Sequence, residues 1–320
     1  MSVITKGIQG ARRRLGDTVF LGVVTVLGLS IVGLAIAMGV VLWNDSRQAL
    51  SEFGFFRFLA GTSWNPVRGE YGAWPFLLGT LITSTGALAL SFFPALGLAI
   101  LSAEYAPRWL ASIVDYIVDL LAAIPSVVIG IWGILVLAPF LRESVYTPVL
   151  DWATANAPGI LPWLGNPTGY GILTATVVLA LMIVPYTTAL ARDAIRLVPA
   201  EQREAAWGLG ATRWEVLRMA VLPYARGGIS AGAVLSFGRA LGETMAVAML
   251  IGNSHRLPLT LFGPAATMPS VIVNEVREAV ESLHLSSLMA VGLWLFIISL
   301  VVNLAAAWVQ RRMLVGSAGS

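Results

Sequence analysis

Six stretches of this chain are apolar for long enough to cross a hydrocarbon core of about 30 Å, which takes roughly 20 helical residues. They run from about Val19 to Trp43, Phe76 to Ser102, Ile113 to Leu141, Tyr170 to Ala191, Ile229 to Ile251 and Ser287 to Val309. No water is available in such a core, so every backbone amide and carbonyl must find a partner within the segment, and a helix provides this. The expected fold class is an all-α polytopic membrane protein with six transmembrane helices. A composition of 57% hydrophobic and 12% charged residues points the same way. Cysteine is absent, which removes disulfides, thiolate metal sites and cysteine nucleophiles. The net charge of +3 is small, and the arginines follow membrane topology rather than forming a patch suited to nucleic acid.

The first stretch follows Arg12-Arg13-Arg14 and contains Ala35-Ile36-Ala37, as cleaved secretory signals do, but its apolar run continues to Trp43 and reads as an uncleaved helix. Positive residues collect on the cytoplasmic side. With the N-terminus inside, that side receives Lys6, Arg12, Arg13, Arg14, Arg108, Arg192, Arg196, Arg203, Arg213, Arg218, Arg226, Arg311 and Arg312. The other side receives only Arg47, Arg57, Arg68, Arg142, Arg256 and Arg277. Both termini are therefore expected in the cytoplasm. Trp43, Trp74, Trp109 and Trp308 fall at span ends, where interfacial aromatics belong. The expected organisation is a cytoplasmic tail (1–18), a first helix (19–43), an extracytoplasmic loop (44–75), a five-helix core (76–309) with a cytoplasmic loop at 199–223, and a cytoplasmic tail (310–320).

The polar interlude from Arg192 to Arg226 reads as two short helices. Pro199 suits a first helical position, Glu201 and Glu204 lie early where the positive dipole end favours carboxylates, and Gly208 or Gly210 can stop the helix. Thr212 and Glu215 form a capping box for the second helix, whose apolar stripe is Trp214, Leu217 and Val221. Pro223 is expected to end that helix before the fifth span.

Glu204-Ala205-Ala206, Gly210 and Leu222-Pro223 match, in residue type and spacing, the EAA loop of ABC importer permeases, with Ala220 where isoleucine is usual. Gly72-Ala73-Trp74-Pro75-Phe76, Ala122-Ala123-Ile124-Pro125-Ser126-Val127-Val128 and the run from Gly238 to Met249 narrow the likeness. With them the chain resembles the phosphate-specific ABC permeases, of the PstC type more than the PstA type. The resemblance covers about Tyr71 to Asn253 and implies the type I ABC importer permease fold in a bacterial inner membrane. It implies a loop docked on an ATPase through Glu204, Ala205, Ala206, Gly210, Leu222 and Pro223. It also implies four kinds of partner: a second, PstA-type permease; two copies of a PstB-type ATP-binding subunit carrying ATP and Mg; a PstS-type extracytoplasmic phosphate-binding protein; and the phosphate ion itself. A sulfate or molybdate permease is the neighbouring alternative.

Arg239 lies about 15 Å along the fifth stretch, near the bilayer midplane. A charge there costs about 2.5 to 3.5 kcal/mol on insertion scales, so it should face protein or water. Glu243, four residues on, is expected to share its helix face and pair with it. Two readings of the pair stand: a structural salt bridge, or an arginine that contacts the passing anion through its planar fork while Glu243 holds it. Thr244 and Ser126 join Arg239 and Glu243 as candidates for the substrate pathway, Ser126 also being able to cap backbone freed by Pro125. Asp115 and Asp119 share a face near the cytoplasmic interface, where paired or solvated carboxylates are usual. Pro125, Pro139 and Pro185 should kink their spans. The aromatic segment Asn44 to Pro75 reads as lying on lipid or meeting a binding protein, and a short amphipathic helix is expected around Val271 to Leu283. His255 and His284 lack the company of a zinc site.

The only lysine is Lys6, so a Walker A lysine is missing, and neither a GxSxG elbow nor an HExxH helix is present. An enzyme is not expected, nor a cofactor bound by this chain. A self-contained secondary anion transporter is the competing class, but no inverted symmetry of broken helices is visible between the halves.

Overall fold

The computed structural model describes the backbone of residues 2–317 and side chains between 17 and 308, residues 18 and 306 excepted. The side chains of Lys6, Arg12, Arg13, Arg14, Arg311 and Arg312, used above for orientation, lie outside the described residues. The chain is helical nearly throughout. Helix α1 spans Ser2–Asp45, followed by α2 (Arg47–Phe53), α3 (Phe55–Ala60), a two-residue hairpin β1 (Trp64–Asn65) and β2 (Glu70–Tyr71), and α4 (Trp74–Ile100). Then come α5 (Arg108–Ala123), α6 (Ser126–Trp132), α7 (Ala138–Leu141), α8 (Thr147–Asn156), α9 (Leu161–Leu164) and α10 (Ile172–Arg196). The remainder is α11 (Ala200–Gly208), α12 (Arg213–Val216), α13 (Leu222–Gly242), α14 (Met245–Leu250), α15 (Met268–Glu275) and α16 (Ser282–Ser317).

Among the described residues five helical stretches are long and apolar enough to cross a membrane: Val19–Asp45, Trp74–Tyr105, Ser126–Asn156, Ile172–Arg196 and Ser282–Ala305. Two expected spans are corrected. The run from Ile113 to Leu141 is not one helix, because Pro125 breaks it. The residue before a proline is driven towards extended backbone, and Ile124 has φ −66° and ψ 127°. The third long span therefore begins at Ser126. The run from Ile229 to Ile251 breaks at Gly242-Glu243-Thr244, where Glu243 is extended (φ −67°, ψ 124°) and a new short helix starts. Glycine is a poor helix former, and the Glu243 carboxylate accepts from the Ala246 amide in the first turn of the new helix.

Buried clusters mark the two ends and the middle of the bundle. At one end Phe58, Trp64, Tyr71 and Phe76 pack with Met268, Val271 and Trp294. The aromatic segment between α1 and α4 is thus mostly protein interior rather than a belt on lipid, although Phe56 stays exposed. Its burial follows from the β1–β2 hairpin, which pairs Trp64 with Tyr71 and turns both rings towards α15 and α16. At the other end Ala99, Ile195, Val216, Leu217 and Val221 join α4 and α10 to the polar interlude. Between them Ala87 of α4 meets Leu179 and Ile183 of α10 together with Ala240 and Val247, which flank the break after Gly242. The helix expected around Val271 to Leu283 runs instead from Met268 to Glu275, opened by Thr267, whose hydroxyl accepts from the Ser270 amide.

Candidate functional site

The two broken helices meet. A Cβ added to Gly130 of α6 would lie 3.2 Å from the Ala246 Cα of α14 and 2.7 Å from the Met249 Sδ, so a larger residue there would have to push α14 and Met249 aside. Around the contact Val178 and Met182 of α10 pack with Ala246, Leu250, Ile129 and Met249. Ser126, the first residue of α6, and Thr244, just before α14, open these two halves.

Arg239 lies in the last turn of α13, and its side chain is exposed. Its guanidinium carbon sits 4.1 Å from the ring centroid of Tyr186 on α10. The expected pairing with Glu243 is not formed. An i,i+4 pair needs continuous helix, and the break at Glu243 removes it. The Glu243 carboxylate turns to the following segment and accepts from the Ala246 amide at 3.5 Å, while Thr244 donates to the Gly242 carbonyl at 3.1 Å. Among the described residues no carboxylate lies within ion-pair distance of Arg239. Tyr186 carried no signal in the sequence, because its partner stands on another helix.

At the far end the polar interlude forms two helices as its caps predict. Pro199 is the N-cap of α11, one place earlier than expected, and Gly210 takes φ +82°, a left-handed conformation that favours glycine. Thr212 and Glu215 form the capping box: the Glu215 amide donates to the Thr212 hydroxyl and the Thr212 amide to the Glu215 carboxylate at 2.7 Å. That amide and hydroxyl hold the Glu215 carboxyl below its usual range. Trp214 is exposed, and Val216 joins Leu217 and Val221 on the buried stripe. Pro223 does not end the helix. A wide turn at Leu217–Val221 leads directly into α13, with the Leu222 amide donating to the Leu217 carbonyl. Ala205, Ala206, Gly210 and Pro223 line a groove of about 860 Å³ with Leu209 and Tyr224. Glu204 is exposed on α11, while Leu222 turns inward onto the buried cluster.

Behind the groove lie ion pairs that the sequence hinted at only through Asp115. Arg192 of α10 reaches Asp115 of α5 at 3.0 Å, and Arg196 reaches its other oxygen at 2.8 Å. Ser102 donates to the same carboxylate. Arg203 of α11 pairs with Glu104 at 2.7 Å and also donates to the Ile195 and Val198 carbonyls.

The opposite end holds a cluster that sequence reasoning missed. Glu275, buried on α15, has His255 at 2.7 Å, His284 at 2.8 Å, and Trp64 donating from Nε1 at 3.0 Å. Burial pushes this carboxyl up, but the contacts from His255, His284 and Trp64 outweigh it and hold the carboxyl below its usual range. The two histidines were visible as residues, but Glu275 looked like one more charge on an amphipathic segment. Among the described residues no group of three or more acidic or histidine side chains has the geometry to hold a metal.

The model of the family described as binding-protein-dependent transport system inner membrane component matches residues 95–315. The chain is 42% identical over 303 residues to the phosphate transport system permease protein PstC of Mesorhizobium japonicum, covering 94% of this chain and 92% of that one. It is 41% identical over 312 residues to the PstC protein of Haemophilus influenzae, covering 97% and 98%. Among solved structures it is similar to a chain of the MetNI methionine ABC transporter in an inward-facing conformation. The TM-score is 0.56 and the identity 18%, over 78% of this chain and 99% of that one. At that identity the likeness speaks for the fold alone.

Proposed function

We infer how this chain works from the premise that it belongs to the family of binding-protein-dependent transport system inner membrane components and is the permease subunit of an ABC phosphate transport system. It is an inner-membrane protein with several spans and no ATPase domain of its own, and such a subunit works with an ATPase and a binding protein. Beyond that premise the reading is ours. Arg239 contacts the phosphate during passage, with Ser126, Glu243 and Thr244 around it where the two broken helices meet. The observation that carries this is a guanidinium whose described neighbours include no carboxylate, held beside a break in the bundle. Its charge is then available to an oxyanion, and its fork can donate two parallel hydrogen bonds.

The remaining parts follow on the same reading. The groove beside Gly210 and Pro223 receives the ATPase, with Glu204, Ala205, Ala206 and Leu222 shaping the two short helices that dock. Two copies of the ATPase bind ATP and Mg, a second and different permease completes the pathway, and a phosphate-binding protein delivers the ion from outside. Six crossings, counting α13 with α14, leave both termini in the cytoplasm. Residues 76–309 form the permease core behind a first helix at 19–43 and a loop at 44–75, with short tails at 1–18 and 310–320. ATP binding opens the bundle outward and hydrolysis returns it.

The test is Arg239→Gln in the assembled complex. Phosphate uptake is expected to vanish while the variant copurifies with its partners in normal amount. Loss of assembly together with uptake would make the arginine structural instead.

A further inference from the structure

Arg239 does not hold itself in place. Its guanidinium lies over the face of Tyr186, and the Tyr186 hydroxyl donates to the Ala122 carbonyl at 2.9 Å. Ala122 is in the last turn of α5, where carbonyls have lost their intrahelical donors because the helix stops before Pro125. One side chain on the unbroken α10 therefore touches the arginine near the end of α13 and the free end of α5. The ring is fixed on both sides. Its neighbour Thr187 donates to Ser236 at 2.8 Å, three residues before Arg239, which locks α10 against α13 at this level.

The chemistry of this support differs from that of the carboxylate expected in its place. A carboxylate would occupy two donors of the guanidinium and cancel its charge. A ring face attracts the cation while leaving its in-plane N–H groups unused. We propose that Tyr186 is the positioning residue for the anion step: it carries the Arg239 guanidinium on its ring with the donors free, and through the Ala122 carbonyl keeps it in register with the α5–α6 break. The proposal rests on the reading of Arg239 as the anion contact. It assigns Tyr186 no contact with phosphate.

The experiment measures phosphate uptake per assembled complex in vesicles containing the ATPase, the second permease and the loaded binding protein. Tyr186→Phe keeps the ring and loses the hydroxyl, and should cost about two- to fivefold. Tyr186→Leu loses both, and should cost about tenfold or more. Arg239→Lys, which gives up the planar fork, should also fall, and adding Tyr186→Leu to it should lower uptake little further, since both changes remove one unit. Three outcomes overturn the positioning role and leave the arginine reading standing. They are wild-type uptake by Tyr186→Leu, losses that multiply in the double variant, and a fall in assembled complex with normal uptake per complex. Full uptake by Arg239→Gln removes the arginine reading, and the role of Tyr186 with it.

Discussion

Glu275 shows how one residue can organise an end of the molecule. Its carboxylate faces His255 from the loop after α14, His284 from α16 and Trp64 from the hairpin, so three separate segments converge on two oxygens. Tyr71 stacks on His284, and Glu278 and Glu281 stand nearby as further acids. Because the folded carboxyl titrates below its unfolded value of about 4.3, its contribution to stability is complete above that value. It is lost as pH falls through the lower folded one. Glu275→Gln should lower the Tm of the purified complex at pH 7, by an amount corresponding to about 1.5 to 3 kcal/mol. The difference from wild type should hold down to about pH 5 and shrink as the pH drops further, since a protonated carboxyl and an amide become alike. A gap that widens below pH 4 would show that the carboxylate is not what the histidines hold. The sequence contained both histidines and the acid, but nothing in their spacing joins them. Their meeting depends on the path of the chain between α14 and α16.

At the scale of elements, what the sequence made legible is what depends on length and polarity. Four of the spans appear close to where their apolar runs place them, and the Thr212 box and the Gly210 turn form from local chemistry alone. Thr212→Ala should therefore destabilise α12 by about 1 kcal/mol. Hydrogen exchange of the amides at 213–216 would report this as faster exchange, and unchanged protection would mean that burial of Val216 and Leu217 alone holds the turn. The breaks were not legible, because a proline in a membrane helix can be absorbed in several ways. Pro94 and Pro185 remain inside α4 and α10. Pro139, Pro148 and Pro223 each follow a wide turn by two residues, and the longer loop of the wide turn re-pairs the backbone that the missing amide would strand. Pro125 breaks its helix outright, and there the freed Ala122 carbonyl finds the Tyr186 hydroxyl. Which outcome a proline takes depends on the neighbouring helix, and a single run of sequence does not contain its neighbour. The same reason hid the partner of Arg239. A lone charge in an apolar run is conspicuous, but the i,i+4 acid beside it was credible only while the helix was assumed to continue.

Over the whole molecule, the groove at one end and the two breaks in the middle are joined by stiff elements. Helix α13 runs without interruption from Leu222 beside the groove to Gly242 at the break, so a push on the groove is delivered near Arg239. The second connection is ionic. Arg203 of α11 grips Glu104 at the end of the α4 span, and Asp115 ties Arg192 and Arg196 of α10 to α5, whose far end is the break before Pro125. On the proposed reading the ATPase moves α11, and these pairs determine whether α4 and α5 follow it. Glu104→Gln removes the charge that holds Arg203 to α4, while the Ile195 and Val198 carbonyls still hold Arg203 to the end of α10 and the turn after it. The ATPase should then still dock and hydrolyse, but motion should reach the α4 side less faithfully. Phosphate transported per ATP hydrolysed should fall several-fold, with the amount of assembled complex unchanged. Measuring uptake and hydrolysis in the same vesicles decides it. An unchanged ratio would mean that the Glu104–Arg203 pair carries none of the stroke and serves only to hold the bundle together.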